Sequence, residues 1–249
     1  MRKLFLLSIT ATLIIFSSCK KDPENYEMAS LSDYYPTIVG KYVVYKLDSL
    51  TYVNFGAKDT TISYQVKHYV DALITDNLGR PAYRIIRSIR KLPTDPWMPD
   101  NTFMAVVTDN AVEFTENNLR YIKLKRPIRD GFSWRGNSYI DTKSLNSDFK
   151  YLDEWDYTYD SVNVKTTVGA YTLDSTLKVV QKEDEILGNP SDPNAFSERN
   201  YSWEKYAKGI GLVYRKFLHS EYQPPTTPGA NGKYALGSYG ITMTMIDHN

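Results

Sequence analysis

From residue 41 onward the chain breaks into short runs of β-branched and aromatic residues, each bounded by Gly, Pro, Asn or Asp. Eleven such runs read as strands: 41–52, 62–73, 82–89, 103–107, 111–114, 119–125, 155–164, 175–185, 197–205, 212–219 and 240–246. Between them, Asp76-Asn77-Leu78-Gly79, Asp109-Asn110 and Asn117-Asn118 supply residues that tolerate the left-handed backbone of tight hairpins. Successive hairpins make an antiparallel sheet. Eight of the 12 prolines fall in three clusters, Pro93/Pro96/Pro99, Pro190/Pro193 and Pro224/Pro225/Pro228. Proline cannot donate to a strand ladder, so these mark long loops. No apolar stripe of helical period persists; residues 197–208 are the best helix candidate. The expected fold is all-β: a single antiparallel curved sheet or open barrel, with little helix and with a concave face.

The N-terminus places limits on compartment and anchoring. Met1-Arg2-Lys3 precede an apolar run from Leu4 to Phe16, followed by Ser17-Ser18-Cys19. That is the order of an export signal: a basic start, a short apolar stretch and small residues before a cleavage point. The run is shorter than the ~20 residues a spanning helix needs. Phe16-Ser17-Ser18-Cys19 resembles the lipobox of bacterial lipoproteins, which implies acylation of Cys19 and removal of residues 1–18. Residues 19–33 then read as a polar, charged tether and 34–249 as one β domain. Cys19 is the only cysteine, so no internal disulfide forms and the core alone must hold the fold.

Charge and aromatic content narrow the function. Loss of Arg2 and Lys3 with the signal takes 30 basic residues to 28, against 29 acidic, a net charge of −1. A basic field of the kind nucleic-acid binding requires is therefore missing. Tyr (21) outnumbers Phe and Trp together (13), which suits strands and also suits a surface for sugars or flat ligands.

Catalytic patterns are weak. His68, His219 and His248 lack neighbours at metal-ligand spacing, and there is neither a Gly-x-Ser-x-Gly elbow nor a His-Glu-x-x-His pair. Gly209-Ile210-Gly211 opens like a dinucleotide fingerprint but has Tyr214 where the third glycine belongs and precedes a strand. Asp153-Glu154-Trp155-Asp156 sets acids beside aromatics, as a glycosidase does, yet strand alternation explains them as a solvated face. No catalytic residue, cofactor or metal is assigned. For ligand contact the candidates are Trp134, presented between Gly131 and Gly136, with Trp155, Tyr157 and Tyr159.

Tyr35-Pro36-x-x-x-Gly40-Lys41-Tyr42-x-x-Tyr45, Gly131-Phe132-Ser133-Trp134-Arg135-Gly136-Asn137 and Gly209-Ile210-Gly211-Leu212-Val213-Tyr214-Arg215 together bracket most of the chain. They resemble the motifs of a group of uncharacterised cell-envelope lipoproteins of Bacteroidetes, with Tyr42 where Trp is more usual. The resemblance carries no activity; it implies a β-rich outer-membrane lipoprotein, some members being similar to half-barrel carriers of acyl chains. Lys20-Lys21-Asp22-Pro23-Glu24 is similar to the acidic stretch that directs such proteins to the cell surface, leaving surface and periplasmic leaflet open. Ser49, Thr60, Ser161 and Ser175 each follow Asp and resemble Bacteroidetes O-glycosylation sites. The reading expected from all of this is a membrane-anchored binding module for a lipid-like or glycan ligand. Its alternative is an accessory subunit with an envelope protein partner.

Overall fold

A computed structural model describes residues 29–249 with the exception of Pro228; the signal segment and Cys19 lie outside the described residues. Thirteen strands form one antiparallel sheet: β1 (Tyr42–Val53), β2 (Lys58–Thr75), β3 (Pro81–Arg90), β4 (Met98–Val107), β5 (Ala111–Glu116), β6 (Leu119–Lys125), β7 (Ser133–Arg135), β8 (Asp156–Val168), β9 (Tyr171–Gly188), β10 (Ser197–Ala207), β11 (Gly211–Gln223), β12 (Lys233–Tyr234) and β13 (Tyr239–His248). The order is β6-β5-β4-β3-β2-β1-β13-β11-β10-β9-β8-β7, with β12 paired to β11 beside this path. The C-terminal strand thus joins two meanders by sitting between β1 and β11.

The local chemistry of the hairpins follows the residues. Asn117 and Asn118 both take positive φ (51° and 63°), as a tight turn between β5 and β6 requires. Asp76 Oδ1 accepts the backbone N–H groups of Leu78 and Arg80 at 2.9 and 2.8 Å, closing the β2–β3 turn. Residues 197–207 are strand β10, not the helix that their spacing allowed, because each of their two ladders is filled by a neighbour.

The sheet curls until its edges meet. The β6 residue Ile122 donates its N–H to the carbonyl of Gly136, just past β7, at 2.8 Å, and accepts the Trp134 indole N–H at 2.8 Å. One turn of chain away, Tyr159 of β8 donates its hydroxyl to the Lys125 carbonyl and accepts the Lys125 N–H, at 2.8 and 2.9 Å. Side chains therefore supply most of the seam. A twelve-stranded circuit is wider than one filled by ordinary side chains, and two segments close its ends. Leu31–Tyr34, a single helical turn, runs into an extended strap to Lys41 at one end. Residues 136–155 fold across the other. Leu31 and Tyr34 are buried and the Asp33 carbonyl accepts the Gly209 N–H at 2.7 Å. Among the described residues Ala29, Leu31 and Tyr34 already pack into the core, so part of the segment read as tether belongs to the folded body.

Candidate functional site

The four aromatic residues expected at a ligand surface are inside instead. Trp134, Trp155, Tyr157 and Tyr159 are all buried in one cluster with Leu177, Val179, Tyr206 and Phe217. Trp134 and Tyr159 lie 4.7 Å apart between ring centroids, and both serve the seam. Tyr157 donates its hydroxyl to Asn137 Oδ1 at 2.8 Å, while its ring lies so close over Gly136 that any Cβ there would sit 2.3 Å from it. The concave face is thus filled by the side chains that were to line it, because closing a wide sheet needs long aromatic residues as filler. Of the candidate glycosylation sites, Ser49, Thr60 and Ser161 lie half-buried on β1, β2 and β8. The Ser175 hydroxyl is engaged, donating to Asn163 Oδ1 at 2.7 Å and bonded to the Tyr34 hydroxyl at 3.1 Å beneath the strap.

Two other regions concentrate chemistry. The first is a charged centre inside the barrel. Glu204 on β10 accepts from Lys123 Nζ on β6 at 2.7 Å, from Gln181 Nε2 on β9 at 2.8 Å and from the Tyr206 hydroxyl at 2.6 Å. Arg215 on β11 donates to Glu116 on β5 at 2.9 Å, and its Nε stands 3.6 Å from Glu204. Burial would raise both carboxyl pKa values, but the Lys123 and Arg215 cations hold Glu204 below the usual range, and Arg215 with Lys123 draws Glu116 down to about 2. Burial would weaken the hold of Arg215 on its proton; Glu116 and Glu204 more than reverse this. His68 on β2 lies between the rings of Tyr45 and Phe103, at 5.1 and 5.2 Å, where burial and then Arg87 lower its pKa to about 3. A cavity of about 70 Å³ adjoins these groups, roofed by Tyr35, Pro36 and Thr37 of the strap.

The second region is a groove of about 640 Å³ at the opposite end, between the β5–β6 turn and the end-closing loop. Its floor is Ile140 and Phe149, and its walls carry Asn118, Asp141, Ser144, Asn146, Ser147 and Asp148. Tyr139 stands half exposed on the rim, one ring face covered by the Arg120 guanidinium at 3.9 Å. Arg120 is itself held by Glu113. The loop is pinned from within: Asn137 Nδ2 donates to the Leu152 carbonyl at 3.1 Å, and Asp141 Oδ1 accepts the N–H groups of Lys143 and Ser144 at 3.1 and 3.0 Å. A groove built on such a base is preformed.

Nothing local in the sequence distinguishes these residues. Glu116 and Lys123 belong to one hairpin and Glu204 and Arg215 to another far along the chain, and all four look like ordinary strand charges until register places them on the inner face. Among the described residues no cluster of three or more His, Cys, Asp or Glu suited to a metal is present. Compared with protein-family models, curated proteins and solved structures, the chain gives no match.

Proposed function

We propose that this chain is a non-enzymatic, lipid-anchored protein of the outer membrane that binds glycan in the groove beside Tyr139. The observation that carries the reading is the groove itself: about 640 Å³, within the ~300–1,000 Å³ of ordinary ligand sites, with a free aromatic face and a wall of amide, hydroxyl and carboxylate side chains. Sugar rings present apolar faces and hydroxyl edges, and this wall offers a partner for each. Lipid fits less well, because the interior cavity is about 70 Å³ and its centre is ionic. The anchoring part of the reading rests on Phe16-Ser17-Ser18-Cys19. The first described residues lie at the strap end, opposite the groove.

Affinity electrophoresis through gels containing envelope polysaccharides tests the reading. Tyr139→Ala should restore free migration while the melting temperature stays within a degree or two, since an exposed residue costs little to remove. Retention unchanged in Tyr139→Ala would sink the assignment. A second reading, docking on an envelope protein partner, is favoured by the tip of the β9–β10 hairpin, where Leu187 and Phe196 are exposed on one face.

A further inference from the structure

The outer wall of the barrel carries a second groove, of about 340 Å³. Val44 of β1 and Ile246 of β13 line its floor, and Trp97, from the loop between β3 and β4, stands at its side. Register sets charges on two sides of this floor. Val44 pairs with Asp247 on one side and with Lys67 on the other, which puts the Asp247 and Lys67 backbones two strand spacings, or about 10 Å, apart. Arg90 of β3 pairs with Gln65, two residues from Lys67 along β2, so the two cations share one side of the groove and the carboxylate holds the other.

The fold leaves these three charges unpaired. Lys46, Arg84 and Arg87 on the same strands are each held by a carboxylate, from Asp48, Asp71 and Asp100, whereas Lys67 and Arg90 are in no ion pair among the described residues. They lie over Trp97, at 5.2 and 4.3 Å from its ring centroid. Arg90 donates from Nε to the Gln65 side-chain oxygen at 2.8 Å, and its two terminal nitrogens have no protein acceptor among the described residues. The Asp247 carboxylate is bonded by the Tyr42 hydroxyl, at 3.2 Å, and by no cation among the described residues. A simple anion at Lys67 and Arg90 would face Asp247 across the groove. A cation would face Lys67 and Arg90, and a neutral sugar would use none of the three charges. A zwitterion matches all of them, provided that its charges stand several bonds apart, as the width of the floor requires; an α-amino acid carries its two on adjoining atoms of one carbon.

We propose that this groove binds a zwitterion of the phosphoethanolamine class, a group found both in small soluble esters and in phospholipid headgroups. The phosphate accepts N–H groups from Lys67 and from the Arg90 guanidinium, whose planar fork suits an oxyanion. The ammonium donates to Asp247, and the two methylenes lie over Val44 beside Trp97. The site shares no residue with the groove beside Tyr139, so either can fail without the other.

The test is a titration of the purified full-length protein with O-phosphoethanolamine, the Trp97 indole N–H being followed by NMR and assigned by its loss in Trp97→Phe. The resonance should shift saturably, and inorganic phosphate and ethanolamine, each alone, should bind about fivefold more weakly or worse. Arg90→Gln should weaken phosphoethanolamine about fivefold, the upper end for an exposed ion pair. Asp247→Asn should do the same to phosphoethanolamine while leaving inorganic phosphate no weaker. Both residues lie on the outer wall, and melting should stay within a degree or two of the parent in either variant. Monomeric dihexanoyl-phosphatidylethanolamine separates the two sources: binding at least as tight as that of the free ester assigns a lipid headgroup, and weaker binding assigns a soluble ester. A Trp97 signal that phosphoethanolamine does not move overturns the proposal. So does equal affinity for inorganic phosphate, or binding unchanged in Asp247→Asn, since each would mean that the ammonium has no place in the groove.

Discussion

Trp134 and Glu204 are buried in the same barrel on different terms. Around Trp134 the aromatic side chains are used to saturation: the indole N–H goes to Ile122, Tyr159 bonds both the N–H and the carbonyl of Lys125, and Tyr157 bonds Asn137. The exception there is Trp155 Nε1, which has no partner. Around Glu204 the charges are balanced in pairs, with Arg215 Nε 3.6 Å from Glu204 and without a hydrogen bond of its own. The first arrangement closes a sheet. The second exceeds what closure requires, since a barrel interior can be filled with apolar side chains at no desolvation cost. The contrast separates a region closed by neutral hydrogen bonds to the backbone from one held by buried ion pairs.

The contrast can be broken most forcefully at the ion pair. Glu204→Ala leaves Lys123 buried without its counter-charge, and removal of one partner of a buried pair costs about 3–5 kcal/mol. Urea unfolding should show this as a large drop in midpoint. The double change Lys123→Met with Glu204→Leu should recover most of the loss, because two apolar groups need no solvation. If the double variant were no more stable than Glu204→Ala, the centre would be structural in a sense that charge pairing does not describe. A smaller effect is expected at the seam: Tyr159→Phe keeps the ring and removes two hydrogen bonds to Lys125, for about 1–3 kcal/mol. Amide exchange at Lys125 should speed up by more than at any residue of β1–β5. Exchange rising equally everywhere would show that the seam does not open on its own.

The same two regions explain what could be read from residues alone. Most strands, the Asn117-Asn118 turn and the Asp76–Gly79 turn are local events, each decided by a few neighbouring side chains, and they stand close to where composition placed them; β4 is the departure, running from Met98 through Pro99, which was expected in a loop. The seam is not local. Ser133–Arg135 is too short to register as a strand and exists because β8 pairs with it on one side and Ile122 reaches it on the other. The charged centre was illegible for a further reason. Along β10 the polar residues Ser202 and Glu204 are buried while Tyr201 and Trp203 are less so, inverting the usual assignment of faces. A period of two reveals two faces but not which one turns inward. That inversion is also why 197–208 could pass for a helix. The groove beside Tyr139 depends on loop 136–155 being pinned through Asn137, a contact across the fold.

The least effect at neutral pH, and the sharpest discrimination, belongs to His68. Burial holds its folded pKa at about 3, against 6.5 for an ordinary histidine. Between those values the unfolded chain binds a proton that the folded chain refuses. Stability therefore falls as pH falls through this window, with a slope approaching about 1.4 kcal/mol per pH unit, and above pH 6.5 the residue contributes nothing through titration. His219, stacked 3.8 Å from Tyr151 and also lowered by burial, adds a slope of the same sign. Glu116 and Glu204 begin to add theirs only near pH 4.5, where their unfolded counterparts protonate. Between pH 6.5 and 5 the histidines act nearly alone. His68→Phe fills the slot between Tyr45 and Phe103 with a ring that takes no proton, so its stability at pH 7.5 should match the parent within about 1 kcal/mol, a volume-conserving change. Toward pH 5 the variant should become the more stable of the two, retaining only the slope due to His219. Parallel pH profiles would mean that His68 takes up its proton in the folded state. The polar centre would then be open to water, and the difference drawn between it and the sealed aromatic seam would disappear.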